Sequence, residues 1–177
     1  MTICECNRPA FAGWGVIGRT PRGRPPATEQ EWLTLVEETR TSPEPLVCVS
    51  TEDFARVRPP IVERIVTDLG ADRLHVLYVV RRLDRLLPSQ WQQRAQSFKR
   101  MSYDAYLGVV LDETSDHREH KAFWAAHDVA AVVDRWAAWI GPERCTVIVV
   151  DEGDRELLPR TVEGLLGLPA GFLDPQP

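Results

Sequence analysis

The sequence predicts an α/β fold of three layers, a parallel sheet flanked by helices. Three observations lead there. The runs Leu46–Ser50, Leu74–Val80 and Cys145–Val150 are short, almost continuously apolar and rich in β-branched residues, as strands buried on both faces are. Segments with helical spacing of apolar residues separate them, which parallel strands require of their connections. With 177 residues, 44% of them hydrophobic, the chain can bury the core of one domain.

The elements follow in order. Residues 1–27 read as irregular, because Gly13, Gly15, Gly18 and Gly23 with Pro21, Pro25 and Pro26 punctuate a stretch without periodicity. The α/β domain then spans 28–177. Thr28 with Glu31 makes a capping box, and Trp32, Leu33, Leu35 and Val36 give the helix behind it an apolar face. The first buried strand is Leu46–Ser50. A helix over Pro59–Leu69 carries Ile61, Val62, Ile65, Val66 and Leu69 on one face, and Gly70 closes it. The second strand, Leu74–Val80, contains His75 as a core or edge residue.

Arg81–Phe98 reads as mostly helix, broken or restarted at Pro88, and Tyr103–Leu111 as another helix. Asp112–Lys121 is a polar loop. Val129–Ile140 is amphipathic and Gly141-Pro142 ends it. The third strand precedes an acidic turn, Asp151–Asp154, and a last helix, Leu157–Leu166. Three strands make a thin sheet, which suggests that at least one N-terminal strand is missing.

The net charge of −5 argues against a nucleic-acid binder, which would show a basic face. No run reaches the roughly 18 apolar residues of a membrane span, and no signal peptide opens the chain, so the expected location is cytoplasmic. Cys48 and Cys145 sit inside apolar runs and read as buried thiols. Cys4-Glu5-Cys6 lacks a second pair to complete a metal site. His117 and His120 fall in the polar loop without a third ligand, and no metal is expected there. The tryptophans Trp91, Trp124, Trp136 and Trp139 read first as core residues, with Trp91 or Trp124 as a candidate pocket wall.

In parallel sheets ligands bind beyond the carboxyl ends of the strands. After the second strand stand Arg81, Arg82 and Arg85, and Ser89 follows Arg81 by eight residues. Pro88 is best tolerated in a first helical turn, which puts Ser89 near a helix N-terminus. A guanidinium, a hydroxyl and a helix dipole would converge there on a phosphate. On spacing alone the same arginines read first as ion pairs with Asp84 or other carboxylates on a solvated face. Glu52, after the first strand, is a candidate general base, or else it or Asp53 belongs to the cap of the next helix after Ser50 or Thr51.

The stretch Leu77-Tyr78-Val79-Val80-Arg81 with Ser89-Gln90-Trp91 resembles the 3′-phosphate-binding segment of sulfotransferases that use 3′-phosphoadenosine 5′-phosphosulfate (PAPS). Similar stretches are Val49–Phe54, Leu87–Gln92, Phe123-Trp124 with Asp128, Arg135-Trp136-Ala137 and Gly141–Arg144, so the resemblance covers roughly residues 28–170. It implies a P-loop NTPase-like sulfotransferase fold. It further implies transfer of a sulfuryl group from PAPS to a hydroxyl or amine acceptor, with Arg81 and Ser89 on the 3′-phosphate, Arg82 and Arg85 adding positive potential, and Glu52 as acceptor-side base.

The family begins with a strand, a Gly-rich loop and a helix that cradle the 5′-phosphosulfate. Gly15-Val16-Ile17-Gly18-Arg19-Thr20 is the nearest string, but it follows no apolar strand and precedes Pro21. The expected chain is therefore an N-terminally incomplete sulfotransferase domain with little turnover of its own. The competing expectation is a non-catalytic module, a pseudoenzyme or partner-binding remnant that associates with itself or another chain through exposed sheet edges.

Overall fold

The computed structural model describes residues 8–19, 23–96 and 101–173. It is helix-rich, with one small parallel sheet of two strands. This is compatible with an α/β class. The Cys4-Glu5-Cys6 pair lies outside the described residues. The described chain forms two compact units: the first takes 1–76 and 130–145, the second 77–129 and 146–177. No described helix is long and apolar enough to cross a membrane.

The first unit is helical. Helix α1 spans Arg8–Ile17, where the sequence reads as irregular. Gly13 and Gly15 lie inside the helix, and Gly15 serves packing rather than turning. A Cβ on Gly15 would fall on the carbonyl oxygen of Thr28, so only glycine lets α1 lie against the start of helix α2 (Glu29–Thr41). Gly18, with φ of +68°, ends α1. The capping box of α2 forms as expected: the Thr28 backbone amide donates to Glu31 Oε2 at 2.6 Å.

Helix α3 spans Pro59–Leu69, and the Gly70 amide donates back to Val66. Trp32, Val62 and Ile65 are fully buried. Phe54 packs edge-on between Trp32 and Trp136, with ring centroids 6.4 and 6.3 Å apart. Burying an aromatic or branched aliphatic side chain contributes roughly 1.5–3 kcal/mol each, so these residues dominate the unit.

The run Leu46–Ser50 is not a buried strand. It has no regular structure, and Leu46, Val47 and Cys48 are exposed. A strand needs a neighbour for its backbone groups. This run lies in the helical unit, where no described strand pairs with it, so water takes that role.

The second unit holds nearly all of the sheet: β1 is Val76–Val80 and β2 is Cys145–Val149. His75 stands exposed, one residue before β1. The pair continues past the strand ends, where the Val150 amide donates to Val80 at 2.8 Å. The expectation of burial on both faces fails. Leu77, Val79, Val147 and Val149 alternate along the strands and remain partly exposed, while Ile148 is buried. The Tyr78 hydroxyl donates to the Ala126 carbonyl at 2.5 Å.

Helix α4 (Leu83–Gln96) follows β1 and packs against α5 (Tyr103–Val110), which packs against α6 (Arg118–His127). Leu87, Tyr106, Val110 and Phe123 form their core, with Trp91 and Trp124 packed against it. The polar stretch 112–121 is thus a loop only to His117. The His117 ring caps α6 by accepting from the Glu119 amide. Helix α7 (Val129–Ile140) falls where the periodicity puts it. It belongs to the first unit from Ala130 on and buries Val132, Trp136 and Ile140. Trp139 is exposed, unlike a core residue. Helix α8 (Leu157–Leu166) ends at Gly167. Buried Glu163 accepts from the amides of Gly171 and Leu173, which folds the following turn back onto the helix.

Candidate functional site

The carboxyl ends of β1 and β2 lie side by side, because the strands are parallel neighbours. Arg81 leaves β1 there, and the acidic turn leaves β2. The two segments meet through Glu152. Its Oε1 accepts from Arg81 at 2.9 Å, and its Oε2 sits 3.1 Å from Arg85 Nε. Arg82 turns to Asp84, with Nε and Nη2 each at 3.1 Å from one carboxylate oxygen. Three arginines thus share two carboxylates. Their side chains are 47%, 70% and 61% exposed for Arg81, Arg82 and Arg85. At such exposure each pair contributes at most about 1 kcal/mol, so an incoming phosphate could displace Glu152 at small cost.

Ser89 does not stand at a helix N-terminus. Helix α4 starts at Leu83, and Arg82 caps it by accepting from the Arg85 and Leu86 amides. Pro88 lies inside the helix, and Ser89 is at the end of its second turn. Proline in a helix interior forfeits one backbone hydrogen bond, here the one to the Asp84 carbonyl, and α4 continues through that loss. The helix dipole therefore does not add to the Ser89 hydroxyl. The N-terminal dipole of α4 falls instead beside Arg82 and Asp84.

Glu52 belongs to the first unit. It is exposed at the start of a 3-10 turn, Glu52–Arg56, which Thr51 caps by accepting from the Asp53 amide at 3.3 Å. Asp53, not Glu52, is the anchored carboxylate. It accepts from Trp14 Nε1 at 2.6 Å and lies within 4.0 Å of Arg19 and Arg56. No local spacing announces this contact, since Trp14 is 39 residues away.

The Gly15–Gly18 string ends a helix rather than preceding one. A phosphate cradle uses the positive N-terminal end of a helix dipole, and here the negative end is present. The nearby Arg64 is committed as well. It binds Asp68 at 2.5 Å and Glu29 at 2.9 Å, and these carboxylates, Asp68 above all, raise its guanidinium pKa. Asp68 also accepts from Trp32 Nε1 at 2.6 Å.

His117 and His120 have structural partners. His117 caps α6, and His120 Nδ1 lies 3.0 Å from the Val110 carbonyl. Among the described residues no group of three acidic, histidine or cysteine side chains is placed to hold a metal ion.

Two residues that the sequence does not single out form the most enclosed charge pair described here. Arg94 of α4 and Glu119 of α6 are ion-paired, with side chains 19% and 7% exposed. Exposed Arg118 adds a second guanidinium at 3.5 Å from Glu119. The chain matches no family model, no curated protein and no solved structure.

Proposed function

We propose that this chain is a sulfotransferase relative that binds the 3′-phosphate of a 3′-phosphoadenosine nucleotide with Arg81, aided by Arg82 and Arg85. The single observation that supports the reading is the cluster of three exposed arginines at the carboxyl ends of two parallel strands, where α/β proteins bind ligands. Guanidinium groups suit the charge and geometry of a phosphate, and Glu152 holds two of them in place until one arrives. Ser89 enters the proposal as a side-chain donor only, without a helix terminus behind it. Glu52 is the residue that the family resemblance makes the acceptor-side base, for a hydroxyl or amine acceptor.

PAPS itself would supply the sulfuryl group. The Gly15–Gly18 string ends a helix and so offers no cradle for its 5′-phosphosulfate. Nucleotide binding with little turnover is the expected outcome. Calorimetric titration of the chain with 3′-phosphoadenosine 5′-phosphate, beside adenosine 5′-phosphate, tests this. A charge-assisted contact is worth about 1.5–3 kcal/mol, so the 3′-phosphate and Arg81→Ala should each change affinity by roughly 10- to 100-fold. Equal binding of both nucleotides, or no effect of Arg81→Ala, would reject the reading.

A second reading has its own support. The exposed apolar side chains Leu77 and Val79 on one face and Val147 and Val149 on the other, with the two edges of a sheet that has two strands among the described residues, suit a non-catalytic module that associates with another chain. Concentration-dependent association in sedimentation, with no nucleotide binding, would favour it over the first.

A further inference from the structure

We infer that the second unit carries a separate binding site for a small aromatic carboxylate, between α4, α5 and the start of α6. A cavity of about 350 Å3 opens there. That is within the size range of small-molecule sites. Trp91, Met101 and Tyr106 give it flat apolar walls, and Arg94, Arg118 and Glu119 give it charge.

The observation that points to a ligand is a pair of buried donors without an acceptor. The Tyr106 hydroxyl and Arg94 Nε are buried and reach no acceptor beyond one another among the described residues, the Arg94 guanidinium lying against the phenol as a donor. Tyr106 is 1% exposed and lines the cavity. Proteins rarely leave such groups unsatisfied, and two in one cavity call for an acceptor that enters it. Burial pushes the Tyr106 phenol above its ordinary pKa, which keeps it protonated as a donor. The Trp91 indole is already committed, donating to the Met101 carbonyl at 2.8 Å, so Trp91 serves as a wall and not as a donor.

The charge balance selects the ligand's valence. Arg94 and Arg118 stand against the single carboxylate of Glu119, which leaves one positive charge. A monoanion matches it, whereas a phosphate dianion would leave a negative excess in a partly buried place. The aromatic walls favour a flat ring over an aliphatic chain. A carboxylate would accept from Tyr106 and Arg94 within the cavity and meet Arg118 at its mouth.

Titration of the full chain with indole-3-acetate and phenylacetate, and with phenylacetamide as the neutral counterpart, tests the inference by calorimetry and ligand-observed NMR. Both acids are expected to bind in roughly the millimolar range or tighter, as their size permits. The amide should bind about tenfold more weakly, since it lacks the charge-assisted contacts. Tyr106→Phe should weaken the acids about fivefold, and Arg118→Gln, an exposed change that leaves the core intact, by a similar factor. Arg81→Ala should leave acid binding unchanged, which separates this site from the proposed nucleotide site. Absence of binding by both acids, equal binding of acid and amide, or full affinity in both the Tyr106 and Arg118 variants would overturn the inference.

Discussion

Replacing Arg94 by methionine should be among the most damaging single changes in the second unit. The substitution keeps the stem of the side chain, which packs between α4 and α6, and removes only the guanidinium. Glu119 then remains buried, with Arg118, 75% exposed and 3.5 Å away, as its remaining arginine partner. Stranding one member of a buried ion pair costs about 3–5 kcal/mol, against a total stability of about 5–15 kcal/mol for a domain. Removing both charges is far less harmful, because neither partner is then stranded. Arg94→Met/Glu119→Gln should therefore recover to within about 1–2 kcal/mol of the original. Glu119→Gln alone should fall between the two, since the long arginine can lean toward water. Urea unfolding followed by circular dichroism gives all four corners of the cycle, with a coupling of at least about 2 kcal/mol between the residues. A loss below about 1 kcal/mol for Arg94→Met, as for a surface pair, would refute the claim that burial sets the strength of this interaction.

Two further outcomes follow from packing and burial. Gly15→Ala gains about 1 kcal/mol of helix propensity in α1 but drives a methyl group into the Thr28 carbonyl, so a net loss of about 1–2 kcal/mol is expected in thermal or urea unfolding; a stabilised variant would mean that α1 does not rest on α2 as described. The raised pKa of Tyr106, due first to burial, favours the protonated phenol in the folded state. Its contribution is complete below the ordinary value near 10 and is lost as pH rises through the higher folded value. Unfolding midpoints measured from pH 9 to 11 should therefore fall less steeply for Tyr106→Phe than for the original, and parallel curves would speak against a buried phenol.

The helices that carry their own punctuation were legible residue by residue. Thr28 and Glu31 mark the start of α2, Pro59 and Gly70 bracket α3, and Gly141-Pro142 ends α7. Local chemistry decides these boundaries, so one sequence suffices. Where tertiary contacts decide, it did not. Gly13 and Gly15 look like breakers, yet α1 runs through both, and at Gly15 a missing Cβ is what the neighbouring Thr28 carbonyl requires. Leu46–Ser50 has the composition of a strand but no pairing partner, and pairing is not a property of a short run. Pro88 suggests a helix start, but the helix had begun at Leu83, which moved Ser89 away from the dipole assigned to it.

The candidate sites divide in the same way. The arginines after β1 stand out because strand ends can be located from the apolar run. Their partner Glu152, 71 residues from Arg81, could not be assigned. The cavity of Trp91, Arg94, Tyr106 and Glu119 draws on three helices, and the loop reading of 112–121 concealed the helix that delivers Glu119.

The interleaving of the two units has a consequence for the chain as it is made. The first unit needs Val132, Trp136 and Ile140 from α7 to finish its core, yet α4, α5 and α6 all emerge before α7 does. At about 5–20 residues per second, α3 would wait about 4–14 s and α2 about 5–20 s for the helix that completes their packing. During that interval Trp32, Val62 and Ile65 have no finished interior to occupy. A chaperone that holds apolar segments would find its substrate in α2 and α3, and a stall shortly before Ala130 would prolong that exposure.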